Sequence, residues 1–140
     1  MLNNAFRAMR ISASGLAAER MRMDLISSNI ANYNSIKTNS ADAYRRKVAT
    51  FEQHMNNSMR GIQKFKGVKI GAIREDNSPL KMIYDPTHPN ANADGFVEGS
   101  NVNILTEMAD MILATRAYES NADTFNANKQ MFMKALEIGR

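Results

Sequence analysis

The residues of this sequence that could do chemistry are few, and their spacing forms no recognisable site. A zinc site would draw on clustered histidines and cysteines, but His54 and His88 lie far apart and the chain has no cysteine. The stretch Asn90–Gly95 resembles the start of a calcium loop, yet its twelfth position, Asn101, is not the bidentate glutamate that such a loop needs. We therefore predict a tight polar turn there and no bound metal.

Catalysis is not indicated either. No serine lies in a GxSxG elbow, and Gly67 and Gly71 lack the other glycines and the lysine of a phosphate-binding loop. The adjacent carboxylates Glu75 and Asp76 have no neighbours that would raise a pKa for acid catalysis. The sequence therefore predicts a protein that is not an enzyme and that holds no cofactor.

Cations cluster in the middle of the chain and could contact nucleic acid or anionic lipid. Aromatic residues are not interleaved with them as in RNA-binding motifs, and no helix-turn-helix spacing is present. The simpler interpretation, which we favour, is a solvated strand edge whose charges discourage unwanted pairing. The cluster consists of Arg45, Arg46, Lys47, Arg60, Lys64, Lys66 and Lys69.

Composition and charge narrow the class of protein further. The 140 residues are 44% hydrophobic, which is enough for one domain. The chain has 11 Met and no Trp, and flexible Met side chains suit surfaces that meet several non-identical partners. The net charge of +4 is uneven: residues 1–32 carry four basic and two acidic groups, 33–94 carry ten and six, and 95–140 carry four and six. The opposite signs of the two ends favour their pairing weakly.

No apolar run is long enough to span a bilayer. Charges near the start of the chain also interrupt the apolar core that a signal peptide would need. We therefore expect a protein that is cytoplasmic or that leaves the cell without a cleaved signal. The interrupting residues are Arg7, Arg10, Glu19, Arg20 and Arg22.

The strongest pattern in the chain is a sevenfold repeat of large apolar residues near its end. Such a repeat predicts a helix that packs along a slowly winding stripe against a partner helix. Asn103 is a suitable N-cap, Glu107 places negative charge in the first turn, and Gly139 suits a helix stop. A helix of about 36 residues would be roughly 54 Å long, so it needs an equally long neighbour. The repeat consists of Ile104, Met111, Tyr118, Phe125 and Phe132.

The start of the chain repeats the pattern and predicts a second long helix, which ends in the polar run Asn29–Ser35. Two interpretations follow. The two helices fold into an antiparallel hairpin within one chain, or both stripes pack against other copies or other proteins. A lone pair leaves half of each helix in water and returns little for the entropy lost on ordering. We therefore expect the ends to be weakly ordered alone and to become ordered on assembly. The second repeat consists of Leu2, Met9, Leu16, Met23 and Ile30, with Phe6 beside it.

Between the helices the sequence predicts a small β region. Near-alternation of apolar and polar residues indicates three strands, and a turn at Asp76–Pro79 would pair the second strand with the third as a hairpin. The fold class is thus mainly α with a short β-hairpin insertion. The expected segments are a linker at 33–43, a strand at 44–53, a loop at 54–63, strands at 67–74 and 79–84, and a loop at 85–99.

Eight short motifs, taken in order, resemble one protein family over essentially the whole chain. Their order and spacing are similar to those of the bacterial flagellar rod and hook axial proteins, those of the proximal rod in particular. The motifs are Met23–Asn32, Tyr44–Val48, Tyr84–Pro89, Asp94–Val97, Asn101–Asn103, Glu107–Ile112, Arg116–Glu119 and Lys134–Arg140.

The resemblance implies a structural role. Members of this family pair their terminal helices into an inner layer, and copies stack helically into a hollow shaft that transmits motor torque across the periplasm. Helices 1–32 and 103–140 would then form one discontinuous axial core domain, with 33–102 outside it. The assembly interface would consist of Leu2, Phe6, Met9, Leu16, Met23, Ile30, Ile104, Met111, Tyr118, Phe125 and Phe132.

The resemblance also implies partners and a location. The expected partners are other copies, other rod proteins, the adapter at the rod base and the flagellar type III export apparatus, with the surrounding rings as further neighbours. The expected location is the periplasmic rod of the basal body, reached without a cleaved signal peptide. No nucleic acid and no membrane span are expected. The alternative is a soluble helical adaptor or coiled-coil dimer.

Overall fold

The computed structural model describes residues 2–38, 40–56 and 64–138, with side chains described for 6–38, 40–54 and 67–138. Along the chain, one long helix precedes and another follows four strands, which form two antiparallel pairs. This confirms the predicted class, mainly helical with a small β region. The elements are α1 (Leu2–Ala31), β1 (Lys47–Asn56), β2 (Lys64–Glu75), β3 (Lys81–Tyr84), β4 (Phe96–Gly99) and α2 (Ile104–Ile138).

The two helices lie antiparallel along one another. At the far end of the pair, the rings of Phe6 and Phe132 are 5.1 Å apart; further along, the Thr115 hydroxyl donates to the Met23 sulfur at 3.7 Å. Helix α1 has 30 residues and α2 has 35, so they are about 45 and 52 Å long. The expected N-cap of α2 is confirmed, because Asn103 Oδ1 accepts from the Leu105 amide at 3.0 Å. Gly139, the expected stop, lies outside the described residues.

The predicted pairing of the strands is wrong. Strand β2 pairs with β1, from Lys47 opposite Glu75 to Asn56 opposite Lys64, and not with the strand that follows it. The turn after β2 is held away from such a hairpin, because Asn101 Nδ2 donates to the Asp76 and Ser78 carbonyls. Residues 54–56 extend β1, whereas a loop was expected; residues 57–63 lie outside the described residues.

Strand β3 instead pairs with β4, which lies within the stretch expected to be a loop. A strand of four residues, the last of them a glycine, is too short for periodicity to reveal, yet Val97 in β4 is buried. The expected linker 33–43 also joins this part of the fold. The Lys37 amide donates to the Glu98 carbonyl at 2.8 Å, and the Ser100 amide to the Ser35 carbonyl at 2.9 Å.

The β1–β2 ribbon is attached to α1 at a close approach. The Val68 amide donates to Ser14 Oγ at 3.1 Å, and Ser14 Oγ donates to the Ile11 carbonyl at 2.6 Å. Gly67, the residue before Val68, has a φ of 118°, and a Cβ at this position would overlap Ser14 Oγ. The approach therefore requires glycine.

A buried polar network joins the helix pair to the β region, and Asn29 of α1 is at its centre. Asn29 is 1% exposed, and its side chain makes four hydrogen bonds. Oδ1 accepts from the Lys47 amide at 2.9 Å and from the Tyr44 hydroxyl at 3.0 Å. Nδ2 donates to the Lys47 carbonyl and to Glu107 Oε2, both at 2.9 Å. All four capacities of the amide are thus used.

Glu107 of α2 and Arg46 of β1 complete this network. Glu107 is 0% exposed, and Arg46 Nε donates to its Oε1 at 2.6 Å. Arg46 also reaches Asp110 at 3.3 Å, and its amide donates to Asn101 Oδ1 at 2.8 Å. A buried carboxylate is tolerated because a cation and a second donor satisfy it. We call Asn29, Arg46 and Glu107 the polar network.

We expect Asn29→Ala to lower the free energy of unfolding by about 2–4 kcal/mol, because it removes one of the two donors to the buried Glu107 carboxylate and leaves the Lys47 amide and carbonyl without their partner. Urea unfolding followed by circular dichroism measures this. The matched control is Asn34→Ala, an exposed turn residue, for which a change within about 0.5 kcal/mol is expected. Equal stabilities of the two variants would contradict the role given to the network.

Gly67→Ala should cost at least about 2 kcal/mol in the same unfolding measurement, because it forces a left-handed backbone and a clash with α1. Gly71→Ala is the control within the same strand. The atoms nearest its new methyl group belong to the side chain of Glu52, which is exposed and can rotate away. A cost at Gly67 no larger than that at Gly71 would show that the ribbon is not packed against α1 at this point.

Candidate assembly interface

The structure places the two predicted stripes on facing sides of the helix pair. Phe6 contacts Phe132, Met23 contacts Thr115 beside the second stripe, and Leu16 and Tyr118 line one shallow groove. Phe6 is 56% exposed, and the side chain of Leu2 lies outside the described residues. The other stripe residues are all half-buried: Met9, Leu16, Met23, Ile30, Ile104, Met111, Tyr118, Phe125 and Phe132. The stripes therefore meet within the chain but stay incompletely covered.

Helix α2 carries a second apolar face that the sequence analysis missed. Leu105 is 75% exposed and Ile112 is 58% exposed. They lie two residues before Glu107 and Ala114, the buried positions of this helix, and so about 200° around the helix from them. The sequence signal for this face was the seven-residue spacing of Leu105 and Ile112 in the same helix. A helix that is apolar on two sides needs two partners. We call Leu105, Met108, Ile112 and Leu113 the outer face.

The far end of the helix pair exposes a further set of flexible apolar side chains. Two of the four are methionines, which suit contact with neighbours of differing shape. Along the whole of α2, only Glu107 and Ala114 are buried. The exposed side chains are Met131, Met133, Leu136 and Ile138.

The whole chain exposes far more surface than a compact monomer would. It has 10168 Å² accessible, against about 7,300 Å² expected for a folded monomer of its 15.7 kDa mass. Among the described residues, 18 large hydrophobic side chains are exposed, whereas the buried apolar residues number six, three of them alanines. A surface of this kind marks an interaction site.

Two carboxylates outside the helices, Asp76 and Asp85, stabilise turns. The Ser78 backbone amide and hydroxyl lower the pKa of Asp76, and the Thr87 hydroxyl and amide lower the pKa of Asp85. A general acid needs the opposite, a raised pKa. In the described residues no group of three or more His, Cys, Asp or Glu is placed to hold a metal ion.

The stretch that resembles a calcium loop is a polar turn, as expected. Asn92 Oδ1 accepts from the Asp94 amide at 3.0 Å and from the Phe96 amide at 2.8 Å. Gly95 takes a positive φ of 79°, which glycine adopts readily. The asparagine that imitates a metal ligand thus satisfies the backbone that leads into β4.

The expectation that the basic run forms a solvated strand edge is wrong for Arg46 and Arg45. Arg46 belongs to the polar network, and Arg45 donates to the Ser78 carbonyl at 3.3 Å. Lys47 lies over the Tyr44 ring, 5.6 Å from its centroid. Sequence alone missed the roles of Arg46 and Arg45 because their partners are distant in the chain: Arg46 and Glu107 are 61 residues apart, and Arg45 and Ser78 are 33 apart. Neither long helix, over its described residues, is apolar enough to cross a bilayer.

Comparisons with known proteins agree with this geometry. Residues 9–35, within α1 and the turn after it, match the family described as Flagella basal body rod protein. Residues 93–138, which include β4 and α2, match the family described as Flagellar basal body rod FlgEFG protein C-terminal. Both matches thus cover the elements that carry the apolar stripes.

Full-length similarity is found to curated proteins named flagellar basal-body rod protein FlgC. The protein of Bacillus subtilis is 43% identical, covering 97% of this chain and 99% of its own. That of Borreliella burgdorferi is 40% identical, covering 95% and 96%, and that of Salmonella typhimurium 34%, covering 93% and 94%. The helices, their unfilled apolar faces and these similarities agree: the chain belongs to the family of flagellar basal-body rod proteins of the FlgC type.

Proposed function

We propose that this chain is a structural subunit of the proximal rod of the bacterial flagellum, where copies stack into a hollow shaft that transmits torque across the periplasm. The observation that carries the proposal is the outer face of α2, four large apolar residues that are each more than half exposed. The outer face lies on the side of α2 away from the buried Glu107 and Ala114, so a subunit can contact different neighbours on different faces. Such heterologous contacts extend without closing, which is how helical shafts form.

The inner layer of the shaft would be the helix pair. In this proposal the stripe residues, Phe125 and Phe132 among them, complete their burial against helices of adjacent subunits, and 1–32 with 103–140 act as one discontinuous axial core domain. The β region from 33 to 102 lies outside this layer. The polar network fixes the β region to the helix pair. Torque passes from helix to helix through the packed side chains of the inner layer.

The proposed partners are other copies of this chain, other rod proteins and the adapter at the rod base, with the surrounding rings as further contacts. Export through the flagellar type III apparatus without a cleaved signal belongs to the same proposal. Two observations support these partners and this route: the family to which the chain belongs and the exposed apolar surface. The alternative, a soluble adaptor or coiled-coil dimer, differs in gel filtration: it forms a discrete dimer, whereas a rod subunit stays monomeric until it polymerises.

Ile112→Asp tests the outer face without disturbing the subunit. Because Ile112 is exposed, the thermal unfolding midpoint should stay close to that of the unsubstituted chain. A charge buried between subunits should nevertheless prevent rod assembly, seen as a loss of swimming in a strain that depends on this variant. Asn77→Asp places the same charge on an exposed turn and should leave swimming intact. Normal swimming with Ile112→Asp would exclude the outer face from the interface.

Phe125→Asp tests the stripe itself. It introduces a charge where two helices already half-bury an aromatic ring, so we expect no rods in electron micrographs of isolated basal bodies. Phe125→Leu keeps an apolar side chain and should assemble. If basal bodies carrying Phe125→Asp had complete rods, the proposed packing of the stripe would be wrong.

A further inference from the structure

The apolar stripes do not by themselves specify how far along one another the two helices lie. In both helices the large residues recur every seven positions, so sliding α1 by seven residues brings stripe residues opposite stripe residues again. Methionines at Met9, Met23 and Met111 adapt to altered neighbours at little cost. An interface of this kind admits several registers, just as coiled coils without a polar position do.

The observed register is nevertheless uniform along the pair. Phe6 lies against Phe132, Met23 against Thr115 and Asn29 against Glu107. A Cβ built on Gly15 would lie 3.1 Å from the Asn121 side chain. Each of these pairs matches the same alignment of the two helices, from the far end to the junction with the β region.

The polar network loses its partners when the register changes, as does the partly exposed ion pair between Arg22 and Asp110, 3.6 Å apart. A shift of seven residues in one direction places Asn29 opposite Ala114; in the other direction Asn29 passes beyond the start of α2 at Ile104. Either shift separates the Asn29 amide from Glu107, and both groups are buried in the observed register. A buried carboxylate without its donor is costly, so the network discriminates where the stripes do not.

We propose that the polar network of Asn29, Arg46 and Glu107 sets the register of the two long helices and couples that register to the position of the β ribbon. Asn29 binds the Lys47 backbone at the start of β1 with the same amide that binds Glu107 of α2. Helix register and ribbon position are therefore fixed together at one end of the pair. This role belongs to the single subunit and does not rest on the proposed function.

Cysteine cross-linking tests the register directly, because the chain has no cysteine of its own. Gly15→Cys with Asn121→Cys reports the observed register, since these positions are close enough for a disulfide. Gly15→Cys with Asn128→Cys, seven residues further on, reports the shifted register. In the purified full chain we expect the first pair to oxidise at least about tenfold faster than the second. Equal rates in the chain with an intact network would overturn the proposal.

The decisive background is the double substitution Arg46→Met with Glu107→Met, which replaces the charged pair by apolar side chains of similar length. Such replacements keep helices folded in other proteins, and circular dichroism verifies helicity here. We expect the preference for the first cysteine pair to fall below about threefold. Retained helicity with a retained tenfold preference would overturn the proposal.

Asn29→Leu provides a second background that removes the contact from the α1 side and leaves Arg46 paired with Glu107. It decides the question if the double substitution loses its helicity. A lost preference for the Gly15–Asn121 pair supports the network as the register determinant. A retained preference means that the stripes set the register, and the proposal fails. Asn34→Leu, at an exposed turn position outside the network, is the control and should keep the tenfold preference.

Discussion

A pair of helices about 45 and 52 Å long cannot enclose its apolar side chains by contact along a single line. Each helix is cylindrical, and its partner covers only part of its circumference. The consequence is visible in α2, where Glu107 and Ala114 are the buried residues and the outer face stays in water. The rest of the chain follows from this constraint. The β region is too small to wrap the helices, so further covering has to come from other molecules.

The polar network supplies the specificity that the apolar stripes lack. Met-rich stripes with a sevenfold period give adhesion but little specificity, which is useful toward several neighbours and harmful within the subunit. A buried amide and carboxylate with all their partners present cost more when misplaced than they contribute when correctly placed. Positioned where α1, β1 and α2 meet, they let the subunit have one internal alignment while its outside remains adaptable.

The sequence was informative where the signal is local and periodic. The sevenfold repeats predicted both helices, and Asn103 predicted the start of α2, because helix periodicity and capping involve residues a few positions apart. The strand pairs and the polar network were not predictable in this way. Asn29 and Glu107 are 78 residues apart, and locally each has an ordinary explanation, as a helix-ending asparagine and a first-turn acid. The outer face has a seven-residue spacing of its own, from Leu105 to Ile112. The stripe with the larger aromatic residues is the stronger pattern, however, and it predicts only one apolar side of the helix.

We infer that the long helices reach full order only when other molecules cover them. Hydrogen exchange followed by mass spectrometry measures this, comparing a dilute monomer with assembled rods. We expect amides around Phe125 and Phe132 to exchange quickly in the monomer and to be at least about a hundredfold better protected in rods, since local opening tracks the number of buried apolar contacts. Full protection of both helices in the dilute monomer would contradict it.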